Sequence, residues 1–100
     1  MTLVALLVDD LMDRSRISGA IEADDSLTTA EVDEADVVVV DLARHADRLA
    51  ELRARVPDAV VVAFGRHDDT AALEAARDAG ADRVLTRARF FADLPAAIRP

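Results

Sequence analysis

Ala35-Asp36-Val37-Val38-Val39-Val40-Asp41-Leu42 contains four consecutive valines closed by an aspartate. A stretch that is apolar at every position, rather than at alternate ones, reads as a strand covered on both faces. Such strands lie in the middle of parallel sheets, with helices on either side. Ligands of open α/β sheets bind just beyond the carboxyl ends of the strands. Asp41 therefore stands where a site would form. Asp9 and Asp10, which close the apolar run of residues 3–8, are its expected companions.

Working outward, strand and helix signals alternate. Residues 11–23 predict a helix with Leu11, Ile17, Ala20 and Ile21 near one face, and Asp10 suits its cap. Ser26-Leu27-Thr28-Thr29-Ala30 is a weak strand. Residues 31–35 leave room for one helical turn, although parallel crossovers usually need about a dozen residues. The second crossover must therefore be short. Residues 43–56 predict one helix, with Ala46, Leu49, Leu52 and Val56 on its inner side. A second buried strand follows at 59–64, then an alanine-rich helix at 70–79 capped by Asp69 or Thr70. Gly80 suits the left-handed residue after that helix. Residues 83–86 form a last strand, and Phe90-Phe91 lead into a final helix with Pro95 near its start. Alternation with right-handed crossovers gives a parallel sheet covered on both faces.

Bulk properties narrow the function. One hundred residues make a single domain, taken as 1–100, and the 52% hydrophobic content argues for a packed core. Only 3% of residues are aromatic, so that core rests on Val, Leu, Ile and Ala. A net charge of −8 disfavours direct binding to nucleic acid or to an anionic membrane. No cysteine is present, which excludes disulfides and thiolate metal sites. No apolar run approaches the roughly 20 residues of a membrane span. Met1-Thr2-Leu3 lacks the basic start of a secretory signal, so a cytoplasmic protein is expected. All 12 basic residues are arginine, and the chain has no lysine.

The ordered set of features resembles the response-regulator receiver domain, the CheY-like, flavodoxin-like module of two-component signalling. The matching residues are Asp9-Asp10, Asp41 after the valine run, residues 58–69, and the tract from Ala75 to Arg87. The resemblance implies a doubly wound five-stranded parallel sheet in the order 2-1-3-4-5. It implies Asp9, Asp10 and Asp41 as ligands of Mg²⁺, and Asp41 as the phospho-acceptor. A hard cation prefers carboxylate oxygens and water, and it neutralises charge on an incoming phosphoryl group.

The chain departs from that pattern at several places, among them the abbreviated second crossover and the tract Leu42-Ala43-Arg44-His45, which lacks the family's proline–glycine turn. Gly65 stands where the family places a serine or threonine hydroxyl, and Arg87 stands where it places lysine. Arginine keeps the charge, but its planar fork is not equivalent to an ammonium. The chain thus looks like an atypical receiver.

Three functions follow from that resemblance. The first is a signalling module that acts through protein contacts and has a degenerate acidic pocket. The second is a working phospho-acceptor of a phosphorelay, with Arg87 replacing the lysine. The third is a small-molecule-binding domain of the same fold. Only the second is weakly enzymatic. The implied partners are a kinase or an output protein, with a homodimer as the alternative assembly. Phe90-Phe91 reads first as core and helix-docking residues; Arg87, Arg89 and an exposed Phe90 or Phe91 would form the contact surface, since arginine and aromatic residues anchor interfaces well. His45 and His67 read as solvated side chains on an arginine-rich surface. No glycine-rich phosphate loop follows the first strand, which disfavours a Rossmann or P-loop nucleotide site.

Overall fold

A computed structural model describes all 100 residues. The strands are β1 (Thr2–Leu7), β2 (Leu27–Thr29), β3 (Val37–Asp41), β4 (Val60–Gly65) and β5 (Arg83–Thr86). The helices are α1 (Leu11–Glu22), α2 (Leu42–His45), α3 (Leu49–Arg55), α4 (Thr70–Asp78), α5 (Arg87–Ala92) and α6 (Leu94–Ala97). The five strands form one parallel sheet in the order β2-β1-β3-β4-β5, as the resemblance implied.

The valine run is the sheet's middle strand, and every residue of β3 is buried. Alternate valines serve opposite faces, because successive side chains of a strand point to opposite sides. Val38 and Val40 pack with Leu42, Leu49, Leu52, Leu73 and Ala76 from α2, α3 and α4. Val37 and Val39 pack with Ile17 and Ile21 of α1, with Phe64 and Phe90, and with Ala97 and Ile98 at the carboxyl end. Two covered faces are the physical reason for a run with no polar alternation.

The second crossover is as short as residues 31–35 require, reduced to one 3₁₀ turn at Val32–Glu34. Asp36 closes it. Its carboxylate Oδ2 accepts from the Leu3 amide at 2.9 Å, and its own amide donates to the Leu3 carbonyl at 2.8 Å. The passage across β1 is feasible because β2 has only three residues.

Three details differ from expectation. Leu11 is 80% exposed, and the buried face of α1 is Asp13, Ile17 and Ile21. The predicted helix over 43–56 is broken: a 3₁₀ turn at Ala46–Arg48 separates α2 from α3. At the break His45 leaves helical geometry (φ −127°, ψ 14°) and becomes buried, while Ala46 is exposed. The final helix is likewise interrupted at Asp93 (φ −146°, ψ 73°), which caps α6 through the Ala96 amide. Pro95 lies in the first turn of α6, as expected.

Two loops at the amino end of the sheet are held by one residue. The Arg53 guanidinium donates to the carbonyls of Val56, Pro57, Ala59 and Gly80 and to the Asp82 carboxylate, at 2.6–3.2 Å. Gly80 has φ +98°, and a Cβ there would lie 2.9 Å from both Cγ and Cδ of Arg53. No helix is long and apolar enough to cross a membrane.

Candidate functional site

Three carboxylates sit at the carboxyl edge of the sheet because β1 and β3 are parallel neighbours, Leu7 opposite Val40. Asp9 and Asp10 follow β1, and Asp41 ends β3. All three line one recess of about 330 Å³, together with Asp13, Ala43, Arg44 and Arg87. Arg14 steadies the loop below it, donating to the carbonyls of Leu6 and Val8 at 3.2 and 3.1 Å.

Each carboxylate already has a partner. Asp10 Oδ1 accepts from the amides of Met12 and Asp13 at 2.9 and 3.0 Å, so Asp10 caps α1. Asp41 is buried, and its Oδ1 accepts from the Ala43 amide at 3.0 Å, capping α2. Its other oxygen accepts from no protein donor. Asp9 Oδ1 lies 3.1 Å from His45 Nε2.

His45 is a correction to the sequence reading. It is a buried member of this site rather than a solvated side chain, because the break after α2 turns its ring inward. Its Nδ1 is buried and bonded to no protein group. His67 is exposed, as expected.

Arg87, the first residue of α5, faces the recess but is committed elsewhere. Its two terminal nitrogens donate to the two oxygens of Asp13, both at 2.8 Å. Asp13 is 6% exposed and sits in the inner face of α1. The hydrogen bonds from Arg87 hold its carboxyl below the ordinary carboxylate value, against the opposing effect of burial. Arg87 is held charged first by those same bonds, with Asp41 and Asp10 adding attraction through space. Its guanidinium carbon also lies 5.6 Å from the Phe64 ring centroid and 5.2 Å from that of Phe91.

At the end of β4, Gly65 is buried and paired with Thr86. A Cβ added there would meet Leu42 Cδ1 at 3.2 Å and Leu73 Cδ2 at 3.5 Å. Leu42 is therefore tight against a side chain at this position, while Leu73 lies at ordinary van der Waals distance.

The expected contact surface is divided by burial. Arg89 is exposed, while Arg87 and Phe91 are half-buried. Phe90 is fully buried and belongs to no surface. It stacks on Phe64 with centroids 4.4 Å apart, since α5 turns it toward the sheet. Phe91 meets both rings edge-on and carries the Arg16 guanidinium over its face at 4.1 Å.

The donor set suits a hard cation in kind, since carboxylate oxygens line the recess. No three acidic or histidine side chains converge as a ready ligand set. Magnesium commonly takes one or two carboxylates and keeps several waters, a demand that Asp9, Asp10 and Asp41 can meet.

Asp13 and His45 are the site members that sequence reasoning missed. Asp13 had a signal, because positions 13, 17 and 21 share one helix face. An aspartate on that apolar face demands a cationic partner. His45 had none, since its place depends on a helix break.

The fold is that of response-regulator receiver domains. The chain aligns with a response regulator protein from Burkholderia pseudomallei at TM-score 0.80 and 17% identity, covering 99% of this chain and 67% of that one. That structure contains a phosphorylated aspartic acid, a calcium ion and citrate. The isolated receiver domain of RcsB from Salmonella enterica serovar Typhimurium aligns at TM-score 0.80 and 16% identity, over 97% of this chain and 84% of that one. An orphan response regulator of H. pylori aligns at TM-score 0.72 and 14% identity, over 98% and 97%. No family model and no curated protein matches the sequence. At such identities the likeness is one of fold.

Proposed function

We propose that this chain is a receiver-like signalling module that works through protein–protein contacts, with an acidic recess that does not act as a phosphoryl switch. The observation that carries this reading is the commitment of Arg87. The one cation at the lysine position is bound bidentately by Asp13, and so is not free to meet a charged group on Asp41. Gly65 supports the same reading, because it offers no hydroxyl and Leu42 is tight against any side chain placed there.

The surface for contacts is Arg87, Arg89 and Phe91 on α5, extended by Arg16 on Phe91. Arginine and half-buried aromatic groups give such a surface rigid anchors. Its partners are a cytoplasmic kinase or output protein, or a second copy of the chain. RcsB, a structural neighbour, has been captured on promoter DNA in the presence of the phosphomimetic beryllofluoride. The net charge of −8 argues against direct DNA contact by this chain.

A second reading keeps Asp41 as a phospho-acceptor. It is favoured by the free oxygen of Asp41 in a recess with Asp9 and Asp10, and by the phosphorylated aspartate in the Burkholderia structure. A beryllofluoride titration with Mg²⁺, followed by backbone amide NMR, separates the two. No saturable shift around Asp41 is the result expected of the contact module. Saturable shifts that vanish in Asp41→Asn establish the phospho-acceptor instead.

A further inference from the structure

We infer that Asp13 is the residue that decides whether this recess accepts an anion, acting as a permanent internal counter-anion for Arg87. The inference rests on the contact-module reading and supplies its cause.

Arg87 has the means to bind a tetrahedral anion. Its planar fork matches two oxygens at once, and it stands on the wall of the recess beside Asp41. In this chain one edge of that fork, a hydrogen from each terminal nitrogen, is engaged by the two Asp13 oxygens at 2.8 Å, which fixes the guanidinium's orientation and balances its charge. Asp13 is well placed to hold it. It is 6% exposed, on a rigid helix between Asp10 and the buried Ile17, and it presents both oxygens to the fork. Phe64 and Phe91 flank the same guanidinium and restrict its swing.

The charges lead to the same conclusion. Asp9, Asp10, Asp13 and Asp41 face Arg44 and Arg87 around the recess. With Asp13 and Arg87 cancelling each other, three carboxylates remain against Arg44. Such a recess attracts cations and repels anions. Neutralising Asp13 removes one repulsive charge and releases a bidentate donor. Asp13 is thus a positioning residue, since it acts on any ligand through Arg87.

The test uses beryllofluoride with Mg²⁺ on the full chain, read by amide NMR, which also reports that each variant is folded. Asp13→Asn keeps the side-chain shape and removes the charge. It is expected to bind the probe at least about tenfold tighter than the wild type, the scale of one charge-assisted pair. Asp13→Glu keeps the charge and is expected to show no gain, which a purely structural role for Asp13 would not produce. The double variant Asp13→Asn/Arg87→Gln is expected to lose the gain.

The inference is overturned if Asp13→Asn binds no tighter than the wild type, or if its gain persists without Arg87. A wild type that itself responds at Asp41 overturns the contact-module reading, yet leaves the inference standing if Asp13→Asn still gains through Arg87. A silent wild type with a silent Asp13→Asn keeps the reading and removes the inference.

Discussion

His45 Nε2 lies 3.1 Å from Asp9 Oδ1, joining the break after α2 to the loop after β1. The pair ties one carboxylate of the recess to a neutral or protonated ring, and so competes with any cation for that oxygen. The Asp9 side chain is 60% exposed, which keeps the contact weak. His45 Nδ1, by contrast, is buried without a partner, an unfavourable arrangement for a polar atom.

Replacing His45 by leucine removes both the weak contact and the orphaned nitrogen. The variant is expected to stay within about 1 kcal/mol of the wild type in urea unfolding. It is also expected to bind Mg²⁺ more tightly, because Asp9 is released. A Mg²⁺ titration that gives the same affinity for both chains would show that His45 does not restrain Asp9.

Arg53 and Gly80 depend on each other. Arg53→Ala strips the donor from four carbonyls and Asp82, with an expected loss of about 2–3 kcal/mol. Gly80→Ala must adopt φ +98° and push a methyl against the Arg53 stem, for about 1–2 kcal/mol. The clash disappears when Arg53 is already alanine, so the double variant should lose less than the sum. Strict additivity in denaturant unfolding would contradict the close approach.

Gly65→Ser tests whether the missing hydroxyl is simply an absent atom. Its Cβ would meet Leu42 Cδ1 at 3.2 Å, so the serine is expected to destabilise the fold by about 1 kcal/mol or more. It should not create a beryllofluoride response while Arg87 remains on Asp13. Adding Leu42→Ala relieves the crowding, but that change leaves a cavity of its own. The informative quantity is therefore the coupling between the two substitutions. A serine variant as stable as the wild type would refute the crowding.

Acid should weaken the fold partly through Asp13. Its folded carboxyl titrates below the ordinary value, chiefly because of Arg87. A depressed folded pKa contributes stability that is complete above the unfolded value of about 3.9 and disappears as pH falls through the folded one. Asp82 shifts the same way: burial opposes the shift, but the Val61 amide and Arg53 prevail. Urea midpoints of the wild type should drop below about pH 4, and Asp13→Asn should show a shallower drop. Parallel curves for the two chains would remove Asp13 from the account.

The valine run, the aspartates at strand ends and the alternation of elements carry the parallel sheet and the rim where Asp9, Asp10 and Asp41 meet, while the strand order came with the family resemblance. These features are legible because each strand's apolar pattern reports how many of its faces are covered, which is local information. Which of Phe90 and Phe91 is fully buried, the inward turn of His45 and the capture of Arg87 by Asp13 were decided only in the folded chain. Asp13 and Arg87 stand 74 positions apart, so no local pattern joins them. The aspartate on the α1 inner face announces a need for a cation, but only the packing of α5 against α1 selects Arg87 from twelve arginines. Local chemistry thus set where the recess lies, and long-range packing set which of its charges remain free.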